Sequence, residues 1–223
     1  MPKNDWYYRF KKAGMIQSGH VVLSSGFHSE RYINCAYPLI TLNPIVRQII
    51  EGLGQKIRVL PAQKGGPIAI FGVGKGAHYA RLLAEWAQAR HPDRQFLFLY
   101  GQRQYDGTLF LPYNQMRFLR ESEVIIFDDA YMTGRTFRDI ARLINGKSQR
   151  VLQFLTIVNR SEEKFVDDGN LSFMIESLVH VPTLRKWKDM ASCPLCKKGI
   201  PYSTSIEGGK HEFHQHGQPV HLV

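Results

Sequence analysis

The sequence predicts an α/β fold in which a parallel sheet is flanked by helices. Between about Pro67 and Val158, short apolar runs alternate with helical stretches. This order is typical of a parallel sheet covered by its connecting helices. The chain has 223 residues, 43% of them apolar and 22% charged, which is enough to bury one core and to add segments around it.

The predicted elements follow one another without an internal repeat. In chain order they are a strand over 68–73, a helix over 78–90, a strand over 95–100, an irregular segment over 101–114, a strand over 124–127, a helix over about 136–144 and a strand over 151–158. Ligands of such sheets bind at the carboxyl ends of the strands, so we expect the functional residues to lie there.

The segments on either side of this core differ from it in composition. Glycines and serines break the apolar pattern before Thr41, which predicts a small N-terminal lobe that caps the sheet. After Lys188 the chain is rich in Cys, Gly, Pro and His, which predicts an irregular tail. The predicted parts are therefore an N-terminal segment over 1–44, a core over 45–188 and a C-terminal tail over 189–223.

The charge and the termini restrict the class of protein. Lys and Arg number 29 against 19 Asp and Glu, a net charge of +10, which favours a polyanionic partner: nucleic acid or a phosphorylated ligand. The basic residues are scattered, which favours a phosphate pocket over a nucleic-acid tail. No apolar run approaches the ~18 residues of a membrane span. The N-terminus lacks a signal-peptide core, so we expect a cytoplasmic protein with no membrane partner.

The most informative segment is the stretch from Val124 to Phe137. A buried strand ends in two adjacent carboxylates, and a turn with hydroxyls and a glycine follows. Neighbouring carboxylates repel each other, and a cationic or diol ligand would offset that repulsion. The turn can hold a phosphate at the start of a helix; the alternative is a plain turn with a structural acid pair. The predicted sugar-phosphate site comprises Asp128, Asp129, Ala130, Tyr131, Met132, Thr133, Gly134, Arg135 and Thr136.

A glycine-rich turn lies about fifty residues earlier in the chain. Gly74, Lys75 and Gly76 follow the predicted strand over 68–73 and precede a helix. Glycines allow the backbone to approach an anion closely, and the lysine ammonium offsets part of its charge. Taken alone, this turn is a weak signal, because most glycine turns bind nothing.

Together these two loops resemble those of the type I phosphoribosyltransferases, and the chain is most similar to the orotate phosphoribosyltransferases within that family. The resemblance covers roughly Gly14 to Arg160 and continues weakly to Cys196. It implies transfer of ribose 5-phosphate from phosphoribosyl pyrophosphate (PRPP) to a nucleobase, preferably a pyrimidine, with release of diphosphate. It also implies Mg²⁺ bound with PRPP, and a homodimer.

The resemblance further implies roles for individual residues of the two loops. Gly74, Lys75 and Gly76 match the loop that binds the diphosphate. Asp128 and Asp129 would be catalytic, holding the ribose diol while positive charge develops at its C1 atom.

Four further positions would contact the base by the same resemblance. Tyr32 and Ile33 lie in a segment similar to the N-terminal hood of the family, for which a surface hairpin is the alternative. Met132 stands where a threonine commonly contacts the base. Arg160 takes the place of the arginine that holds orotate, and a guanidinium suits the planar edge of a pyrimidine; an ordinary surface arginine is the alternative.

One departure from the family leads to a competing hypothesis. The family carries a mobile loop with a catalytic lysine and a histidine, whereas the segment over 101–108 has Arg103 in their place. We assign Arg103 the catalytic role of stabilising the departing diphosphate. The alternative is a catalytically impaired protein that senses PRPP or a nucleotide and regulates a partner protein or nucleic acid.

The tail contains a candidate zinc site. Cys193 and Cys196 form the motif Cys-x2-Cys, and His211 and His214 follow with a similar spacing, an arrangement close to that of a zinc finger. His216 and His221 are alternative ligands. The site competes with two other interpretations: a solvated histidine-rich tail, and a turn whose sulfur atoms pack on apolar neighbours.

Overall fold

The structure is a computed structural model in which the chain divides into two compact units. The first unit contains Met1–Ile45 and Thr183–Val223, and the second contains Val46–Pro182. The N-terminal and C-terminal segments, predicted as separate parts, thus fall in one unit. The residues that the structure describes are 5–23, 26–58, 66–148, 150–167, 169, 172–181, 186–203, 214–215 and 218–219.

The second unit is built on a seven-stranded sheet. Its strands are β3 (Ile68–Val73), β4 (Phe96–Arg103), β5 (Leu109–Phe110), β6 (Glu123–Tyr131), β7 (Arg150–Asn159), β8 (Phe165–Asp167) and β9 (Ser172–His180). Their order in the sheet is β5-β4-β3-β6-β7-β9-β8. Strands β4, β3, β6, β7 and β9 are parallel, and the two outer strands β5 and β8 are antiparallel to their neighbours. The prediction of a parallel α/β sheet is therefore confirmed.

The central strands are apolar because both of their faces are covered by helices. The helices of this part of the chain are α3 (Ile45–Gly54), α4 (Lys75–Arg90), α5 (Tyr113–Glu121) and α6 (Arg135–Ile144). Every residue of β3 is buried, as expected for a strand inside a parallel sheet with helices on either side. Helix α6 packs the face formed by Phe137, Ile140, Ala141 and Ile144 into the core, the spacing of an amphipathic helix.

Several elements of the structure differ from those predicted. Strand β6 continues through both carboxylates to Tyr131, because its hydrogen bonding to β7 extends that far. Helix α4 begins at Lys75 instead of residue 78. The segment over 101–114, predicted as irregular, contains the end of β4, all of β5 and the start of α5, and β9 was not predicted. Strand β9 is only partly buried along most of its length, which explains its weak apolar signal.

The first unit contains a small three-stranded antiparallel sheet. The elements of this unit are α1 (Asp5–Lys12), β1 (Ile16–Val22), β2 (His28–Ile33), α2 (Tyr37–Ile40), β10 (Lys186–Trp187), α7 (Pro194–Lys197), β11 (His214–Gln215) and β12 (Gln218–Pro219). The sheet has the order β1-β2-β10. Strand β1 pairs with β2 through a register shift between Ser18 and Val21, and β10 pairs with the other edge of β2. A short two-stranded sheet of β11 and β12 lies near the C-terminus.

None of the helices in the described part of the chain has the length and apolar character that crossing a bilayer requires.

Candidate functional site

The acid pair lies at the carboxyl end of β6, between the parallel neighbours β3 and β7. The backbone N–H of Asp129 donates a 3.0 Å hydrogen bond to Oδ1 of Asp128, and the Thr136 hydroxyl donates to the same carboxyl group. Burial, and then the neighbouring charge of Asp129, raise the pKa of Asp128 well above its ordinary value. Ionising both carboxyl groups of the pair is therefore energetically unfavourable.

Lys75 is the cation that acts on this pair from the glycine-rich turn. Burial raises the pKa of Asp129, and the charge of Lys75 opposes that shift. Gly76 brings the turn close to the strand end, since a Cβ atom at that position would lie 3.3 Å from the amide nitrogen of Asp129 and 3.5 Å from Cα of Asp128. The absence of a side chain at Gly76 thus lets the two predicted loops meet at one edge of the sheet.

Helix α4 begins directly after the glycine-rich turn. The first turn of this helix carries no acidic side chain that could compete with a ligand for its N–H groups. Gly74 is the N-cap residue of α4, with φ 56° and ψ −127°, and makes no side-chain cap. An L-residue with a Cβ atom rarely adopts this positive φ. The positive end of the helix dipole and the ammonium of Lys75 therefore lie together, an arrangement that suits an anion.

The loop after the acid pair leads into a second helix start of the same kind. Gly134 is the N-cap residue of α6, has a left-handed φ of 71° and makes no side-chain cap. The first turn of α6 carries no acidic residue. Two contacts fix the loop around it. The Tyr131 hydroxyl donates to the carboxylate of Glu163, and the guanidinium of Arg138 donates to the Thr133 carbonyl. Thr133 and Arg135 are exposed at the loop surface.

Arg103, predicted to be catalytic, lies at the end of β4. The β4–β5 connection is a short hairpin in which Arg103 pairs with Leu109. Nη1 of Arg103 donates to the Gly107 carbonyl at 2.8 Å, and Nη2 forms a 2.8 Å ion pair with Asp139 of α6. Arg103 also lines a cleft of about 730 Å³ that includes Gly74. Its catalytic role stays a prediction.

The base-binding residues were predicted in two parts of the chain that fall in different units. Arg160 is buried just after β7, and its backbone N–H donates to the Tyr131 carbonyl at 2.8 Å, so it lies beside the acid-pair strand. Met132 is partly buried in the loop after β6. Tyr32 and Ile33 belong to β2 of the first unit, where Ile33 is buried. Contact of these residues with a base stays a prediction.

The structure groups the two predicted cysteine ligands with histidines that the sequence reasoning missed. Cys193 and Cys196 lie next to His20 and His28, and the four candidate ligand atoms are all within 4.8 Å of one another. His211 lies outside the described residues, and so does the side chain of His214. Two histidines on paired strands of one hairpin could have indicated a metal site. Their role was missed because they are far from the cysteines in sequence.

The second unit also contains two acidic residues that the sequence reasoning did not single out. Asp139 binds Arg103 at 2.8 Å and lies 3.7 Å from Nε of Arg135. Glu163 accepts the hydrogen bond of the Tyr131 hydroxyl. Both hold the loops around the site, and neither belongs to a recognisable sequence motif.

This edge of the sheet combines features that suit a phosphorylated sugar. Two partly buried carboxylates can accept hydrogen bonds from a diol, and one lysine lies beside them. Two helices begin next to them at glycines with positive φ, and their N-terminal amides suit phosphate groups. The site can therefore hold a ligand with a diol in its centre and phosphates on two sides.

Known proteins similar to this chain in sequence and in fold were found. No family model matches the chain. The chain is 28% identical over 218 residues to the orotate phosphoribosyltransferase of Thermoanaerobacter sp., covering 96% of this chain and 100% of that protein. It is 30% identical over 206 residues to the orotate phosphoribosyltransferase of Carboxydothermus hydrogenoformans, covering 88% and 94%. The fold is similar to that of the crystal structure of orotate phosphoribosyltransferase from Aeropyrum pernix, with a TM-score of 0.56 and 20% identity, over 86% of this chain and 97% of that chain.

Proposed function

The chain belongs to the orotate phosphoribosyltransferase family, and from this membership we propose that it transfers ribose 5-phosphate from PRPP to a pyrimidine base and releases diphosphate. The observation that carries the proposal is the acid pair, Asp128 and Asp129, at the carboxyl end of a central parallel strand. The pKa of each carboxyl is raised by burial, so a ligand that compensates the pair has an energetic advantage.

In the proposed reaction the acid pair acts on the ribose. The carboxylates of Asp128 and Asp129 accept hydrogen bonds from the two ribose hydroxyls and fix the ring. As the bond from C1 to the diphosphate breaks, positive charge develops on the ribose, and the nearby negative charge stabilises it. Such pre-organised electrostatic stabilisation is worth several kcal/mol in a partly desolvated site.

The two loops hold the phosphates on either side of the ribose. The 5-phosphate binds the N–H groups between Ala130 and Thr136 at the start of α6, together with the hydroxyls of Thr133 and Thr136. The diphosphate binds the turn around Gly74 and Gly76, where the ammonium of Lys75 offsets part of its charge. Both loops belong to the same unit as the acid pair.

The residues present fit the Mg²⁺ that accompanies PRPP. Asp128 and Asp129 offer hard oxygen ligands, which Mg²⁺ prefers. Burial, and then the repulsion between the two carboxylates, raise the pKa of Asp128, and a divalent cation would offset that cost. When bound, the ion would neutralise negative charge on the diphosphate as it leaves. Asp128 and Asp129 are the residues that would hold it at the strand end.

Arg103, Arg160 and Met132 belong to the same unit as the acid pair and complete the proposed site there. Arg160 would hold the carboxylate or carbonyl edge of the pyrimidine, with Met132 against the ring. For Tyr32 and Ile33, contact with the base is proposed from the family resemblance alone. Arg103 would stabilise the leaving diphosphate, which requires its ion pair with Asp139 to open. We also propose a homodimer located in the cytoplasm, in keeping with the family resemblance.

Turnover with PRPP tests the proposal directly. The purified chain is incubated with PRPP, Mg²⁺ and one base at a time from a panel that includes orotate, uracil and the purines, and diphosphate release is followed. We expect release with a pyrimidine only. PRPP binding detected by calorimetry without turnover on any base would instead support the sensor hypothesis, which the comparisons do not favour. Absence of PRPP binding would overturn both hypotheses.

A matched pair of variants on α4 tests the diphosphate loop in the same assay. Lys75→Ala should raise KM for PRPP by about 10- to 100-fold, the loss of one charge-assisted interaction of about 1.5–3 kcal/mol. Arg90→Ala removes an equal charge from the same helix, where the guanidinium is exposed and paired with Glu51. Arg90→Ala should leave KM within about twofold of the parent protein, since exposed pairs contribute little.

A further inference from the structure

The first unit contains a cluster of four metal-ligating side chains that the proposed reaction does not use. His20 lies on β1, His28 opens β2, and Cys193 and Cys196 flank the start of α7. In the β1–β2 ladder, Val22 is the partner of His28, and His20 lies two residues before Val22. The hairpin thus brings the two histidines together, and the cysteines that meet them lie 165 to 176 positions away in sequence.

Four of the six distances within the cluster match the edges of a tetrahedral zinc site, and all six are within 4.8 Å. A tetrahedron with Zn–N bonds of about 2.05 Å and Zn–S bonds of about 2.3 Å has edges of about 3.4 Å between two nitrogens and about 3.6 Å between nitrogen and sulfur. Nε2 of His20 lies 3.3 Å from Nδ1 of His28. It lies 3.6 Å from Sγ of Cys193 and 3.4 Å from Sγ of Cys196. Sγ of Cys196 lies 3.3 Å from Nδ1 of His28.

The tautomer of His20 leaves the correct nitrogen available for a metal. Nδ1 of His20 is 2.7 Å from the Ile200 carbonyl oxygen. A carbonyl can only accept, so Nδ1 carries the proton, and Nε2 presents its lone pair to the two sulfurs and to His28. Metal-binding histidines are commonly oriented in this way by a backbone carbonyl. The backbone of His20 also pairs with Ser203 in both directions, at 3.0 and 2.9 Å.

The burial of the cluster favours a charge-neutral metal complex. His20 and His28 are 3% and 5% exposed, and Cys193 is fully buried. Two thiolates and one divalent ion sum to zero charge, which suits a site with little access to water.

We propose that His20, His28, Cys193 and Cys196 bind one structural zinc ion. Two sulfur and two nitrogen ligands in tetrahedral geometry are characteristic of zinc. Four protein ligands leave no open position for water or substrate, so the role is structural. The ion ties the β1–β2 hairpin to the segment over 193–203. The proposal keeps the two cysteines of the predicted site and replaces His211 and His214 with histidines of the N-terminal hairpin.

Metal analysis of the untagged, full-length chain tests the site. We expect about one zinc per chain by mass spectrometry of protein expressed with added zinc. Cys193→Ser and His28→Gln should each lower the affinity for zinc by more than about tenfold, because even the loss of a group that only orients a ligand usually costs that much. Cys35→Ser is the matched control, because Cys35 is a buried thiol of the same unit outside the cluster; it should retain the metal. A parent protein without zinc would overturn the proposal.

A second set of variants distinguishes the two possible histidine pairs. The double variant His211→Gln with His214→Gln should keep its zinc, whereas His20→Gln should lose it. The opposite result would overturn the ligand set proposed here. Both outcomes are independent of phosphoribosyl transfer, because the readout is bound metal and not turnover.

Cobalt substitution keeps the test decisive if a cysteine variant fails to fold. The parent protein with Co²⁺ in place of zinc should show the intense visible bands of a tetrahedral site and sulfur-to-cobalt charge transfer. His28→Cys should retain the metal as a Cys₃His site, which is also a known zinc ligand set, and should strengthen the charge-transfer band. Weak bands typical of octahedral cobalt in the parent protein would contradict the proposal.

Discussion

Both ends of strand β6 carry acidic residues, but these differ in whether the protein itself compensates their charge. At the amino end, Glu123 is 3% exposed; its Oε2 accepts from Nη2 of Arg94 at 3.2 Å, and its Oε1 accepts from Arg150. Arg94 also donates to the Gly66 carbonyl at 2.9 Å. At the carboxyl end, burial and the charge of the neighbouring carboxylate raise the pKa of Asp128 well above its ordinary value.

This difference separates a charge that serves the fold from a charge that serves a ligand. The charge of Glu123 is neutralised by arginines of the chain itself, so Glu123 can stabilise the fold without a bound ligand. The acid pair carries an electrostatic cost in the ligand-free protein, and a bound diol and cation would reduce that cost. Perturbed carboxylates of this kind are concentrated at functional sites. The comparison can be tested from both ends of the strand.

The largest expected effect comes from the double variant Asp128→Asn with Asp129→Asn. We expect diphosphate release with PRPP and a pyrimidine to fall by about 10²- to 10³-fold, the usual loss when a group that stabilises transition-state charge is removed. The melting temperature should stay the same or rise, because a buried repulsion is removed. Steady-state kinetics and calorimetry of the same preparation measure both quantities. Full activity in this variant would remove the basis of the proposed function.

The second effect, at the other end of the strand, is on stability alone. Glu123→Gln should lower the free energy of unfolding by about 3 kcal/mol, because it leaves the charge of Arg94 buried without its carboxylate. The kcat of the folded fraction should not change. Glu85→Gln is the control, since its pair with Arg81 is exposed and contributes about 0.3–0.5 kcal/mol. Equal denaturation midpoints for the two variants would contradict the assignment of Glu123 to the fold.

The smallest effect is a pH dependence of the ligand-free protein. The carboxyl of Asp128 has an ordinary pKa of 3.8 and a higher one in the folded state. Between these values the native state binds more protons than the unfolded state, so the free energy of unfolding decreases as the pH rises, by at most about 1.4 kcal/mol per pH unit for one proton. Below pH 3.8 the carboxyl is protonated in both states, so Asp128 no longer lowers the free energy of unfolding.

The variant Asp128→Asn isolates this contribution. Its melting temperature should exceed that of the parent protein at neutral pH, and the difference should shrink as the pH falls toward 3.8. Thermal unfolding followed by circular dichroism across this range provides the measurement. A constant difference at every pH would show that the titration of Asp128 is not the cause.

Sequence reasoning succeeded where the signal is local and repeated. Strands β3 and β7 were predicted from runs that are mostly apolar, since strands covered on both faces tolerate few polar residues. Helix α5 was missed because it directly follows the Gly-, Asn- and Pro-rich segment around the β4–β5 hairpin. Strand β9 was missed because it is only partly buried along most of its length. The pair of Asp128 and Asp129 stood out because acids at the end of an apolar strand are unusual.

By itself, the sequence determined the alternation of strands and helices, the acid pair and the glycine turns, because each of these depends on residues within a few positions of one another. Tertiary structure alone decided that Gly76 packs against the backbone of the acid pair, that Arg94 neutralises Glu123, and that the histidines of the β1–β2 hairpin meet Cys193 and Cys196. Such contacts join residues far apart in the chain, and they form only when packing brings the separate elements together.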